Sequence, residues 1–116
     1  MAVAILGTPT AAHSVAASQQ FPFITIIYNN GKWATVANHT NRWYANLEEP
    51  EPPLTGLGPQ PAFHKIAEAF GGHGECVTTA DALPAALARS ISAARNGQQA
   101  LINVICESPI ERGEVH

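Results

Sequence analysis

The sequence predicts an α/β fold in three layers, with helices on both faces of a mostly parallel sheet. Two observations carry that prediction. The runs over residues 21–28 and 100–106 are apolar on both faces instead of alternating, which is the pattern of strands buried in a parallel sheet. Segments with helical spacing alternate with them, giving the order helix, strand, helix, loop, helix, strand, helix, strand.

Each element follows from its local chemistry. Gly7-Thr8-Pro9-Thr10 reads as a turn entering a helix, with Thr8 as N-cap and Pro9 at the first helical position. That helix runs through Ala11, Ala12, Val15 and Ala16 to about Gln19, and its small residues suit close packing. The strand over 21–28 ends abruptly in the polar run Asn29-Asn30-Gly31-Lys32. In open α/β sheets ligands bind outside the carboxyl ends of strands, so this strand exit is the first place to look for a site. A short helix is expected within 33–45. Residues 46–61 hold five prolines and three acidic residues and read as a long surface loop. Phe63, Ile66, Ala67 and Phe70 share a helical face, closed by Gly71-Gly72. Residues 75–78 form a short strand. Thr79 and Asp81 then turn the chain, and Pro84 starts a helix whose expected inner face is Leu83, Leu87, Ile91 and Ala94. Asn96-Gly97 ends it, residues 100–106 form the last buried strand, and residues 107–116 are a polar, frayed tail.

Bulk properties narrow the function classes. A length of 116 residues fits one small domain or one piece of a larger one. Charged residues make up 13%, against about 25% in an average soluble protein. So low a value suits a piece whose faces are covered by something else, although a compact single domain reads the same way. The net charge is −3 and the Lys and Arg residues are scattered, so neither nucleic acid nor an anionic membrane surface is expected as a partner. No apolar stretch approaches the roughly 20 residues of a membrane span. The apolar start lacks a preceding Lys or Arg, which argues against a signal peptide. Cys76 and Cys106 read as buried free thiols of a reducing, cytoplasmic compartment, with a single disulfide left open. The histidine spacings match no zinc pattern, and His13 is assigned to packing or surface in preference to a cofactor crevice. Glu68 and Glu75 are expected as isolated acids on solvated faces. Trp33, Trp43 and Tyr44 flank the loop after Asn30, either lining a cleft or packing.

The segment Phe21-Pro22-Phe23-Ile24-Thr25-Ile26-Ile27-Tyr28-Asn29-Asn30 resembles the second half of the thiamine diphosphate motif, in which Gly-Asp-Gly precedes a paired Asn at a strand end. Gly7-Thr8-Pro9-Thr10-Ala11-Ala12-His13 is similar to the helix start that follows Gly-Asp-Gly in members like acetolactate synthase and benzoylformate decarboxylase. Residues 62–72 resemble the helix after the cofactor loop, and residues 83–106 the closing helix and strand. The resemblance implies the C-terminal thiamine pyrophosphate-binding domain of a 2-keto-acid decarboxylase, carboligase or acetolactate synthase-like enzyme. Its cofactors would be thiamine diphosphate and Mg2+. Asn29, Asn30, Gly31 and Lys32 would form the cofactor-binding turn, with the Asn30 side-chain oxygen and the Lys32 carbonyl as metal ligands. A hard cation that prefers oxygen ligands suits both. Turn formation without a ligand is the competing role for Asn29 and Asn30.

The sequence also departs from the pattern. Counting back without gaps puts the metal-binding Asp of the family at Met1, and the flanking glycines have no counterparts. The family's catalytic Glu lies in another domain. The expectation is therefore an incomplete, N-terminally truncated thiamine diphosphate-binding fold over residues 1–106, inactive alone. It would pair with the remainder of the enzyme or with its own copies. The alternative is a non-catalytic remnant serving as an oligomerisation or interaction module.

Overall fold

The computed structural model describes residues 9–43 and 55–107. In chain order they form α1 (Pro9–Gln19), β1 (Ile24–Asn29), α2 (Ala34–Trp43), α3 (Lys65–Ala69), β2 (His73–Val77), a 3₁₀ turn (Ala80–Ala82), α4 (Leu83–Arg95) and β3 (Ala100–Ile105). The order of helices and strands is the expected one. Among the described residues no helix is long and apolar enough to cross a membrane.

The three strands form one sheet in the order β1-β3-β2, parallel throughout. β3 comes last in the chain and takes the centre. That position explains its sequence: Ala100, Leu101, Ile102 and Asn103 are all buried, so no face of the strand asks for polar residues. Consecutive side chains on a strand point to opposite faces, and Leu101 and Ile102 accordingly seed two separate cores. Leu101 packs with Ile27, Phe63 and Ala67, joined by half-buried Leu57 and Ile66. Ile102 packs with Val77 and Ala86, joined by Ile26, Leu83, Leu87 and Val104. Thus α3 covers one face and α4 the other, and the three-layer arrangement is present.

The inner face of α4 includes Leu83 and Leu87 as expected, half-buried against the Ile102 core, but not Ile91. The buried residues of the helix are Ala86, Ser90 and Ala93, while Ile91 is 43% exposed. Leu83 and Leu87 flank the contact line, and the helix turns so that Ile91 faces outward.

Three helices end in the same motif, in which the second residue past the cap bonds back five residues. Gly72 N–H donates to the Ala67 carbonyl after α3, and Gln98 N–H to that of Ala93 after α4. After α1 Phe21 N–H donates to the Ala16 carbonyl. The left-handed position there is filled by Gln20, at φ 52°, and not by glycine. A side chain in that region costs about 1–2 kcal/mol, partly offset for glycine by its larger entropy loss. Gln20→Gly is therefore expected to raise unfolding stability by about 0.5–1 kcal/mol, read from urea denaturation.

On the α3 side of the sheet, α1 buries His13 completely. Its ring packs against Phe23 with centroids 4.8 Å apart, and Nε2 lies 3.4 Å from Thr25 Oγ1. His13 is thus a packing residue. Nδ1 is buried without a partner, and burial pushes the imidazole below its ordinary value of 6.5. Between the depressed folded value and 6.5, the unfolded chain binds a proton that the folded chain refuses. Stability should hold above pH 6.5 and fall as the pH drops below it, by at most about 1.4 kcal/mol per pH unit. Urea midpoints measured across pH 5–8 should show that slope in the native chain and lose it in His13→Gln.

Candidate functional site at the carboxyl end of β1

Asn29 is the last residue of β1 and is fully buried. Its side chain projects to the α3 face of the sheet, two residues on from Ile27. There its amide donates to the Pro61 carbonyl at 3.1 Å, and its Oδ1 accepts the Gly31 N–H at 3.0 Å. Asn30 is half-buried, and its Oδ1 accepts the Lys32 N–H at 3.3 Å. Two overlapping Asx turns therefore reverse the chain directly at the strand exit. Gly31, at φ 69°, supplies the left-handed residue that the reversal needs.

A strap over residues 55–61 holds this turn from the other side. Trp33 N–H donates to the Thr55 carbonyl at 2.7 Å, and Leu57 N–H to the Gly31 carbonyl at 2.9 Å. Lys32 and Gly56 thereby form an antiparallel bridge held by the hydrogen bonds of their neighbours. Part of the region expected as a structureless loop is in fact tied to the sheet; residues 46–54 lie outside the described residues. Asn103, on central strand β3, also donates to the Pro61 carbonyl, at 3.2 Å.

The four residues expected at the site, Asn29, Asn30, Gly31 and Lys32, do sit together on this turn, with different geometries. Asn29 has both polar atoms committed inside the protein and acts as framework. Asn30 is half-buried, with a neutral carboxamide oxygen that accepts the Lys32 N–H and lies two residues before the Lys32 carbonyl. Two uncharged, hard oxygens suit a magnesium ion that takes its remaining ligands from phosphate and water. They supply no negative charge of their own. The carboxylates of Glu68 and Glu75 are engaged elsewhere, on Lys65 and Arg89. Among the described residues no cluster of three or more His, Cys, Asp or Glu could hold a metal alone. The donor set therefore fits one side of a magnesium–diphosphate site.

Other expectations need correction. Glu75 is not isolated: its carboxylate bonds Arg89 and lies 3.1 Å from His73 Nε2, and the Arg89 hydrogen bond holds it below the usual carboxylate range. Glu68 pairs with Lys65 at 2.7 Å. Cys76 is exposed and Cys106 half-buried, and both are free thiols. Burial pushes the Cys106 thiol up. Trp33 is half-buried beside the turn, Trp43 is 82% exposed at the end of α2, and Tyr44 lies outside the described residues. Asn103 was not singled out, although an amide in the middle of the apolar run 100–106 is a signal of a buried polar task.

A parallel sheet with helices on both faces and a constrained polar turn at the carboxyl end of one strand defines an α/β domain of the class in which ligands bind at the carboxyl ends of strands. The family described as thiamine pyrophosphate enzyme, C-terminal TPP binding domain, matches residues 5–104. The chain belongs to that family. It is 33% identical over 84 residues to a 2-hydroxyacyl-CoA lyase of Arabidopsis thaliana, covering 72% of this chain and 14% of the relative. It is 33% identical over 88 residues to a 2-hydroxyacyl-CoA lyase of Oryza sativa subsp. japonica, covering 76% and 15% respectively. The chain thus spans about one seventh of the length of these relatives. No solved structure matches it significantly.

Proposed function

We propose that this chain contributes one side of a thiamine diphosphate–Mg2+ site, in a domain of an enzyme acting next to the carbonyl of a 2-keto acid or a related substrate. The observation that supports this best is the placement of the Asn30 carboxamide and the Lys32 carbonyl on a turn locked at the exit of a parallel edge strand, β1, whose last residue Asn29 is fully buried. Asn30 Oδ1 and the Lys32 carbonyl would hold the metal, and Asn29 and Gly31 would fix the turn that presents them. When bound, thiamine diphosphate supplies the electron sink for cleaving or forming a bond beside the carbonyl. The chain's own residues orient the metal and leave the chemistry to the cofactor. An anionic ligand would come from outside the described residues. Relatives named 2-hydroxyacyl-CoA lyase support a lyase; decarboxylase, carboligase and acetolactate synthase-like activities are the alternatives.

The test is calorimetry on the full chain fused to a Gly-Asp-Gly-bearing segment of a family member. Thiamine diphosphate should bind only with Mg2+, and Asn30→Ala should weaken binding at least about tenfold, the equivalent of about 1.4 kcal/mol for a lost charge-assisted contact. Binding that ignores Mg2+ or the Asn30 substitution would contradict the assignment. A second reading, a non-catalytic module that associates with copies of itself or with the remainder of an enzyme, is favoured by exposed Val15, Phe21, Tyr28 and Trp43. It predicts an oligomer by size exclusion and no cofactor binding in the fused protein.

A further inference from the structure

We infer that Asn103 is a positioning residue: by sharing the Pro61 carbonyl with Asn29, it pins the strap over residues 55–61 against the turn that carries Asn30. Three observations meet here. First, two buried amides from neighbouring strands, Asn29 and Asn103, converge on one acceptor, at 3.1 and 3.2 Å. A carbonyl has two lone pairs, so both bonds form without competition. Second, the anchored strap reaches the turn through the Gly31–Leu57 and Thr55–Trp33 backbone bonds. The path from Asn103 to the Asn30 turn is therefore continuous: Asn103 to Pro61, along the strap to Leu57, and on to Gly31. Third, Asn103 is 1% exposed and its Oδ1 is buried without a partner.

The third observation separates positioning from mere stability. A buried acceptor left unpaired destabilises the fold, whereas an apolar side chain of the same shape on that strand would not. The amide is thus a poor choice for holding the core together and a good one for holding the strap. The neighbouring residues agree: Ala100, Leu101 and Ile102 fill the same central strand with apolar side chains. Within the strand, Asn103 lies opposite Ile27, two residues before Asn29, so it sits directly behind the site on the strap side of the sheet.

The inference concerns the strap and turn, and only its consequence for metal rests on the proposed function. The test compares the full chain with Asn103→Leu by amide hydrogen exchange and thermal unfolding. The expected result is exchange about fivefold to tenfold faster at Trp33 and Leu57, the factor set by one hydrogen bond. Ladder amides of β3 should exchange no faster, and the melting temperature should stay level or rise. Unchanged exchange at Trp33 and Leu57 would overturn the inference, and so would an increase shared equally by the β3 ladder. If Asn103→Leu fails to fold, Asn103→Asp supplies the same comparison. A protonated carboxyl can donate to Pro61 and an ionised one cannot, so strap protection, corrected for intrinsic exchange, should be retained at low pH and lost at high pH. Protection independent of pH in that variant would equally overturn it. In the fused protein, Mn2+ affinity should fall with strap protection. Strap loosening without Mn2+ binding in either form would leave the positioning role intact and refute the metal site instead.

Discussion

Ile102→Ala is expected to lower unfolding stability by about 3–4 kcal/mol, since the side chain is fully buried at the centre of the sheet and the residues around it can collapse only partly into the space. Ile102 holds Val77 and Ala86 together on the α4 side, with Ile26 and Val104 beside it. Domains of this size have only about 5–15 kcal/mol in total, so the variant should unfold at markedly lower urea. The control is Ile91→Ala. Ile91 carries the same side chain, but it sits 43% exposed on the outer side of α4. Its loss should cost no more than about 0.5 kcal/mol. Equal effects at the two positions would show that the face of α4 is wrongly assigned.

Asn29→Ala should cost about 2–3 kcal/mol for a different reason. The substitution removes the hydrogen bond to Pro61 and leaves the Gly31 N–H without its acceptor. Urea denaturation reads the loss. Asn29→Asp separates the two bonds. One carboxylate oxygen can still accept from Gly31, while the other would face the Pro61 carbonyl, acceptor against acceptor. That contact raises the folded pKa of the new carboxyl, so the variant is least perturbed at acid pH, where the group is neutral and can donate. It loses stability as the pH rises through that folded value.

Much of the fold was legible because burial writes itself into composition. The continuous apolar runs around Ile24–Asn29 and Ala100–Ile105 announced strands, and both belong to the parallel sheet. Burial on both faces holds for central β3 but not for edge strand β1, where Tyr28 is 57% exposed. The glycines after α3 and α4 marked helix ends where the backbone needs a left-handed residue. Less legible was whatever depends on how two elements meet. The sequence put Leu83, Leu87, Ile91 and Ala94 of α4 inward, and Leu83 and Leu87 do pack against the Ile102 core. The buried line, however, is Ala86, Ser90 and Ala93, and Ile91 is exposed, since a helical face read from large residues alone misses small ones. At the candidate site, the paired asparagines were visible as a motif on one strand end. Their division of labour was not, since the inward turn of Asn29 depends on Pro61, 32 residues away. Asn103 was hidden for the same reason. Its partner lies 42 residues distant, and a lone amide in an apolar run states that a polar task exists without saying which.

The most direct test of the site is paramagnetic broadening in the fused protein loaded with Mn2+ and thiamine diphosphate. Amide signals of Asn30, Gly31 and Lys32 should vanish on loading, while those of the last turns of α4, around Ala93 and Arg95, persist. Sharp signals at Asn30 and Lys32, with Mn2+ and cofactor demonstrably bound, would mean that the metal sits elsewhere and that the turn at the end of β1 serves structure alone.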